Sequence, residues 1–304
     1  MVLFSDDTTD LNIRDNDGMT FLHELTSKGY YGILDEVVAS PRKSDVNINL
    51  GDCCNRTALH WAAIRDYGGL ASKLIAGLGA SLTAEDDNGE TALHTAASNS
   101  HEGTLREFTA YVRVKSERDG INLDVLDRKN NQGNTALHLA SRSANVLTVE
   151  ELVKAGANVT IQNNKGRTAL RMAVSSRREW ISMALLKDDR LKEDHQSNAI
   201  LLLQSTTTFK DDSTLRDKLI HWAVERGYAD VMKELLSQCG DAVLGRLKSG
   251  TSEFVDTLDT ALQQGYDELV SVLVDYYIAA KKQVGPRDEE PTALHLAVRS
   301  EKEH

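Results

Sequence analysis

The residues of this chain that could do chemistry are, first, its histidines. Six of the nine end similar four-residue segments; they are His23, His60, His94, His138, His221 and His295. Imidazoles can bind zinc, but every ligand must then lie about 2.1 Å from one ion. The segments recur 33 to 50 residues apart, as in stacked units about 10 Å apart, the diameter of a helix with its side chains. We therefore expect no shared ion and no metal.

Cys53 and Cys54 are adjacent thiols, and Cys54 is six residues before His60. A thiol nucleophile needs a base aimed at it, and His60 belongs to the repeated row. Catalysis is disfavoured, which leaves either an exposed, redox-sensitive contact pair or inert turn residues.

Two loops partly resemble cofactor-binding loops. The segment 86–89 resembles a calcium loop, but Ala84 and Thr95 stand where the first ligand and the last glutamate are required. The segment 77–79 lacks the third glycine of a dinucleotide fingerprint. We expect no cofactor and no enzymatic reaction.

The four-residue segments form an internal repeat along the chain. Thr-Ala-Leu-His occurs at 57–60, 91–94, 135–138 and 292–295, with weaker copies at 20–23, 168–171, 218–221 and 256–259. The steps between the fourth positions are 37, 34, 44, 33, 50, 38 and 36 residues. A period near 33 with two insertions indicates stacked structural units.

The second unit shows how the pattern predicts structure. Asp52 opens a turn, Asn55 stands where a left-handed residue is needed, and Thr57 is a helix N-cap. Apolar residues then follow helical spacing in two segments, which are separated by Gly68-Gly69 and closed by Gly79. Two short helices cannot bury their apolar faces alone, so neighbouring units must stack.

These units resemble ankyrin repeats, whose signature opens Asp-x-x-Gly-x-Thr-Pro-Leu-His-x-Ala. Residues 15–20 and 86–91 match the turn, Asn130 and Asn163 replace its aspartate, and 156–158 match the end of a second helix. The resemblance implies an all-α solenoid of helix-turn-helix units with β-hairpin-like finger loops, with about seven full units and a partial C-terminal one. It also implies that the repeated histidine is structural and links adjacent turns.

On this resemblance we expect a single ankyrin-repeat domain over 1–304. Its units and one insertion are expected at approximately 15–50, 51–85, 86–129, 130–162, 163–187, insertion 188–212, 213–250, 251–285 and partial 286–304. The chain starts with what resembles the tail of a preceding unit and stops within an eighth, so it could be a fragment; otherwise these ends are divergent caps.

The departures from the period have their own predictions. The step after His94 predicts a longer second helix around 105–114, followed by the polar stretch 115–120. The insertion 188–212 is read as a short helix covering the core or, alternatively, as a hinge or docking loop. The sixth to eighth units lack the turn glycine, which predicts a less regular C-terminal third. Trp61 and Trp222 are expected to pack, although a tryptophan can also anchor a partner.

Composition sets limits on location and partner. The chain has 304 residues, 40% of them hydrophobic, and a net charge of −11, which fits a folded protein. It shows neither a signal sequence nor a membrane span, so we expect an intracellular location, cytoplasmic or nuclear. Residues 1–100 carry 7 basic and 15 acidic side chains, which would attract a basic segment and repel nucleic acid.

The resemblance implies a non-catalytic scaffold that binds a protein or peptide in a concave groove. The alternative is the recognition arm of a larger enzyme, a ubiquitin-ligase adaptor or a secreted effector whose catalytic part lies outside this chain. The expected contact residues are those at the fingertips and the inner-helix ends. They are Asn16, Asp17, Met19, Cys53, Cys54, Arg56, Ile64, Arg65, Asp87, Asn88, Glu90, Ser98, Asn99, Gln132, Asn134, Arg142, Lys165 and Arg167.

Overall fold

In the computed structural model, the described residues divide into two compact units, 1–191 and 192–304. The described residues are 10–119, 124–143, 145–186, 196–197, 199–200, 203, 213–247 and 252–284. Each unit is taken by itself below. Every regular element within these ranges is a helix, and none of these residues is in a strand.

The first unit consists of five consecutive helix pairs and one additional short α-helix, Asp124–Asp127. In chain order its α-helices are α1 (Phe21–Lys28), α2 (Tyr31–Ala39), α3 (Ala58–Arg65), α4 (Gly68–Leu78), α5 (Ala92–Ser98), α6 (Glu102–Asp119), α7 (Asp124–Asp127), α8 (Ala136–Ala140), α9 (Val146–Lys154), α10 (Ala169–Ser175) and α11 (Glu179–Leu186). A short 3-10 helix, Pro41–Asp45, follows α2.

The pairs stack in two layers. The first helix of each pair contacts the next first helix, in the order α1, α3, α5, α8 and α10, and the second helices α2, α4, α6, α9 and α11 do the same. The core contains the leucine of every repeated segment in this unit, each at most 1% exposed: Leu22, Leu59, Leu93, Leu137 and Leu170. Stacking therefore buries faces that a single pair would leave in water, and the expected all-α repeat is confirmed.

The long second helix expected after His94 is also present. α6 runs through Glu102–Asp119, with Leu105, Phe108 and Val112 buried at helical spacing. Because α6 contacts α4 on one side and α9 on the other, the extra length extends a layer without breaking it.

A finger turn precedes each first helix. We number them 1 to 5: 15–19, 52–56, 86–90, 130–134 and 163–167. The fourth residue is left-handed in all five, with φ +72° at Gly18, +59° at Asn55, +69° at Gly89, +74° at Gly133 and +66° at Gly166. Asparagine is the non-glycine residue that best tolerates this conformation, so the prediction for Asn55 is confirmed.

The second unit repeats the two-layer order with longer helices. They are α12 (Ser213–Glu225), α13 (Ala229–Leu247), α14 (Ser252–Gln263) and α15 (Asp267–Val284). α12 packs on α14 and α13 on α15, while each helix also contacts its own pair. Trp222 is 4% exposed and its ring lies 5.0 Å from that of Tyr228, which agrees with a packing role.

These helices begin at different places relative to the repeated segments than those of the first compact unit, which agrees with the expectation of a less regular C-terminal third. The segments 218–221 and 256–259 lie inside α12 and α14, not at a helix start as in the first unit. His221 is consequently 77% exposed and pairs with Glu225 on its own helix at 3.0 Å. The expected structural role is therefore wrong for His221, while His295 lies outside the described residues.

Most of the insertion 188–212 lies outside the described residues, as does the partial unit 286–304. Ala199 and Leu203 are described and fully buried. The single domain over 1–304, the unit boundaries and the role of the insertion stay predictions.

Two glycine substitutions should separate backbone strain from contact between turns. A Cβ at Gly89 would lie 2.6 Å from Oδ1 of Asn131 in the next turn, whereas at Gly166 the nearest atom, Oε1 of Gln162, is 3.8 Å away. Both positions share the left-handed strain of about 1–2 kcal/mol. Gly89→Ala should therefore lower the free energy of unfolding by about 1 kcal/mol more than Gly166→Ala, as measured by urea denaturation. Equal losses would mean that the turns do not pack as closely as described.

Candidate functional site

Each finger turn is closed by the side chain of its first residue. In turn 3, Oδ1 of Asp86 accepts hydrogen bonds from the backbone N–H groups of Asn88 and Glu90, both at 2.8 Å. Asp15, Asp52, Asn130 and Asn163 do the same in the other turns. An amide oxygen accepts as a carboxylate oxygen does, so asparagine replaces aspartate without changing the turn.

Backbone hydrogen bonds join successive turns. The N–H of Cys53 donates to the carbonyl of Asp17 at 2.9 Å, and the N–H of Asp87 donates to that of Cys54 at 3.1 Å. Turns 4 and 5 continue the series through Asn131 and Asn164. The fingertips are therefore held in a fixed row.

The repeated histidine closes its own helix start. In the first repeat the backbone N–H of His23 donates to the Thr20 hydroxyl. The backbone N–H of Thr20 in turn donates to Nδ1 of the His23 ring at 3.0 Å. The same reciprocal capping occurs at Thr57 and His60, Thr91 and His94, and Thr135 and His138. Nδ1 accepts a hydrogen bond, so the imidazole proton lies on Nε2.

That Nε2 proton reaches the next unit. Nε2 donates to a carbonyl at the end of the following finger turn, in the pairs His23 to Arg56 (2.8 Å), His60 to Glu90 (2.9 Å), His94 to Asn134 (3.0 Å) and His138 to Arg167 (2.9 Å). The structural link that the resemblance implied is thus present at four of the six histidines. Both ring nitrogens are occupied, so His60 has none left to activate a cysteine.

Burial lowers the pKa of these four imidazoles below its ordinary value, and the hydrogen bonds to the neighbouring carbonyls offset only part of that effect. A proton added to Nδ1 would also remove the acceptor of the N-cap N–H. The neutral form is therefore the one that the folded chain holds.

Most of the predicted contact residues lie at the surface of this framework. Exposed are Asn16, Asp17, Cys53, Cys54, Arg65, Asp87, Asn88, Ser98, Asn99, Gln132, Arg142, Lys165 and Arg167. Met19, Arg56, Ile64 and Glu90 are half-buried, and Asn134 is 3% exposed. As a set of partner contacts they remain a prediction.

Three predicted contacts are already tied within the fold. Arg56 pairs with Asp52 at 2.9 Å and lies 4.7 Å from the centre of the Trp61 ring. Glu90 accepts from the side-chain amide of Asn130 at 3.1 Å; burial raises the pKa of Glu90, an effect that this bond opposes and the charge of Asp86 reinforces. Asp87 accepts from the amide of Asn55 at 2.5 Å.

Five of the predicted residues meet in one cavity of about 470 Å³ between turns 4 and 5. Its lining consists of Gln132, Asn134, Arg142, Asn163, Asn164, Lys165, Arg167, Met172, Ser175 and Ser176, and we call it the basic pocket. It carries three cationic side chains and contains no Asp or Glu among its lining residues.

The sequence interpretation omitted half of this lining. Asn164 occupies the turn position of Asp87, and Ser175 and Ser176 occupy the helix-end positions of Ser98 and Asn99. All three could have been found by carrying the repeat register one unit further. The other two omitted residues are Asn163, which closes turn 5, and Met172, whose sulfur accepts a hydrogen bond from the amide of Asn163 at 3.4 Å.

One group of possible metal ligands lies among the described residues, at Asp52, Cys53 and Cys54, with ligand atoms within 4.8 Å of one another. Burial disfavours the Asp52 carboxylate, but hydrogen bonds from Cys54, Arg56 and Trp61 outweigh it and hold the pKa of Asp52 below its ordinary value. Both of its oxygens are thus in use. Three atoms, one of them so engaged, fall short of a structural zinc site.

Among the described helices, none combines the length and apolar character needed to cross a bilayer.

The sequence matches the family model for ankyrin repeats in three overlapping copies, over residues 29–115, 65–163 and 120–199. A solved structure of a predatory endopeptidase from Bdellovibrio bacteriovorus in complex with an immunity protein contains a chain similar to this one. The TM-score is 0.50 at 28% identity, over 62% of this chain and 90% of that chain.

Similar curated proteins are much longer. The chain is 32% identical over 129 residues to a transient receptor potential cation channel subfamily A member 1 homolog of Caenorhabditis elegans, and 33% identical over 95 residues to palmitoyltransferase ZDHHC13 of Mus musculus. It is 29% identical over 106 residues to the nuclear factor NF-kappa-B p105 subunit of Gallus gallus. These matches cover 42%, 29% and 35% of this chain but only 10%, 15% and 10% of the relatives.

The histidine links predict that the fold loses stability in mild acid. Below the ordinary histidine pKa of about 6.5, the unfolded chain takes up protons that the folded chain, with its lowered pKa values, does not. At pH 5.5 each of the four histidines should cost at most about 1.4 kcal/mol of unfolding free energy relative to pH 7.5. Urea denaturation followed by helical circular dichroism at both values measures the difference.

The matched variant is His60→Gln, because glutamine can close the same cap without titrating. Its stability should vary less with pH than that of the parent. The raised pKa of Glu90 acts in the opposite direction nearer its ordinary value of 4.5, so measurements stay at or above pH 5.5. If the variant and the parent showed the same pH dependence, His60 would not contribute to the loss of stability in acid.

Proposed function

The chain belongs to the ankyrin-repeat family, and on that premise we propose that it is a non-catalytic scaffold that binds a protein or peptide partner. Ankyrin repeats suggest protein–protein interaction in general. The binding surface that we assign consists of the five finger turns and the ends of the first helices.

The observation that carries this proposal is the contrast between a constant framework and variable tips. The residues that close the turn and cap the first helix are nearly the same in all of the first five repeats. The exposed tips, however, change from Asn16 and Asp17 to Cys53 and Cys54, to Asp87 and Asn88, and then to Gln132 and Lys165. A rigid row of different side chains suits specific recognition, because little ordering is needed on binding.

The charges of the tips favour an extended partner with a basic part. Asp17 lies on turn 1 and Asp87 and Glu90 lie on turn 3, whereas the cations Lys165 and Arg167 lie on turn 5. Charge complementarity contributes to the rate and specificity of such encounters. Exposed free thiols at Cys53 and Cys54 fit a reducing compartment, so we place the scaffold in the cytoplasm or nucleus.

A non-catalytic role also fits the state of the titratable groups. The four linked histidines use both ring nitrogens within the fold, and Asp52 uses both carboxylate oxygens. No nucleophile–base pair remains among the described residues of this surface.

A second candidate is favoured by the comparisons: a recognition arm in a longer protein. The matching regions amount to 10–15% of relatives that include a channel homolog and a palmitoyltransferase. The same surface would then select the partner for an activity located outside these 304 residues, in an enzyme, a ubiquitin-ligase adaptor or a secreted effector.

Removing the charges of turn 3 should weaken partner capture. The variant Asp87→Asn, Glu90→Gln keeps oxygen acceptors for Asn55 and Asn130, so we expect little change in melting temperature. With the chain as bait in native lysate, quantitative mass spectrometry should show a partner reduced several-fold by the variant.

The control is Glu36→Gln, Glu107→Gln, which makes the same change of charge at exposed positions on α2 and α6. It should retain the partner. Equal retention by both variants would place binding away from turn 3, and equal loss from both would indicate a dependence on net charge alone.

The two candidates differ in the size of the native protein. An antibody against this chain should detect a species near 33.5 kDa in native cells if the scaffold acts alone. A substantially larger species would favour the recognition arm.

A further inference from the structure

We propose that the basic pocket binds acidic side chains of the partner segment, so that the surface recognises a segment with a basic part and an acidic part. This inference rests on the proposed function and specifies the chemistry at one end of the surface.

The cations of the pocket are not neutralised within the fold. Arg142, Lys165 and Arg167 are exposed and form no ion pair among the described residues. By contrast, Arg56 pairs with Asp52, and Arg128, just before turn 4, pairs with Glu85 at 2.6 Å. Positive charge is thus concentrated where no protein carboxylate lines the cavity.

The three cations come from separate places in the chain. Arg142 follows the end of α8, whereas Lys165 is at the tip and Arg167 at the end of turn 5. Stacking of the two neighbouring repeats that carry turns 4 and 5 brings the three cations around one cavity. This convergence is unlike a solvated run of charges along a single helix.

The floor of the pocket is held by a chain of amides. The Asn163 amide donates to Oδ1 of Asn134 at 2.7 Å, and the Asn134 amide donates to Oε1 of Gln132 at 3.1 Å. The Gln132 oxygen is therefore engaged, which leaves the N–H groups of that amide to face a ligand. Amide donors beside guanidinium and ammonium groups match the acceptor-only character of a carboxylate.

An acidic protein segment fits better than a nucleic acid. The phosphate backbone of a nucleic acid that continued along the surface would meet the carboxylates of Asp87 and Glu90 on turn 3. These carboxylates would repel the phosphates, whereas nucleic-acid binding requires cations that neutralise them. A protein segment can change its sign of charge along its length.

The experiment measures the fluorescence anisotropy of labelled octaglutamate with the whole 304-residue chain in 0.1 M NaCl. The screening length is then about 10 Å, so the remote acidic residues have little influence. The variant is Lys165→Gln, Arg167→Gln. It should fold, because turn 5 uses only backbone groups of these residues: both N–H groups donate to Oδ1 of Asn163, and the Arg167 carbonyl accepts from Asn163 N–H and His138 Nε2. Circular dichroism verifies the fold.

The control Lys43→Gln, Arg113→Gln makes the same change of charge at exposed positions outside the pocket. We expect octaglutamate to bind the parent and the control alike, with Kd raised about tenfold in the pocket variant, and an uncharged Ser-Gly octamer not to bind. An absence of octaglutamate binding, or equal weakening by both variants, would overturn the proposal.

Capture of a partner from lysate distinguishes failure of the pocket proposal from failure of the proposed scaffold function. If a partner is lost with Asp87→Asn, Glu90→Gln but octaglutamate does not bind, the scaffold stands and the acidic-segment pocket is overturned. If a captured partner also loses affinity with the pocket variant and its binding region contains acidic residues, both proposals are supported.

Discussion

The stacked repeats of the first compact unit depend on two hydrogen bonds that one histidine side chain makes with its two ring nitrogens. Each linking histidine accepts a hydrogen bond at Nδ1 from the backbone N–H at the start of its own helix, and it donates one from Nε2 to a carbonyl in the turn of the next repeat. The first bond fixes where the helix begins, and the second fixes how far the next unit lies from it. Because the ring is buried between these partners, it is also held neutral. Local structure and stacking are thus set by the same atoms.

This constraint explains why the exposed surface can differ from unit to unit. Turn closure, helix capping and the link between units are performed by a few buried or backbone groups. The tips then carry acidic residues on turn 3 and basic residues on turn 5 without any change in the backbone path. The basic pocket arises from this freedom, since its cations are placed by two neighbouring frameworks that are held together by other residues.

Much of the fold could be predicted from the sequence because the repeat encodes it locally. Thr57, His60 and Leu59 have their cap, link and core positions within one short segment, and so do their counterparts in the first four units. The interpretation of His221 was wrong because its segment lacks the threonine, so that the helix starts at Ser213 and the histidine turns to solvent. The pocket was only partly predicted. Its cations were visible in the sequence, but their convergence depends on packing between two repeats, which no single segment specifies. The contact of Met172 with Asn163 lies within one repeat, but it joins a turn to the following helix and follows from no sequence pattern.

The identity of the acceptor in each link has a consequence for how such a protein can evolve. The imidazoles donate to the backbone carbonyls of Arg56, Glu90, Asn134 and Arg167, four positions with three different side chains. A mutation at these positions can therefore change the side chain that ends a finger turn while the backbone acceptor of the histidine link stays in place. Selection can act on the partner that the chain recognises almost independently of selection on its folding.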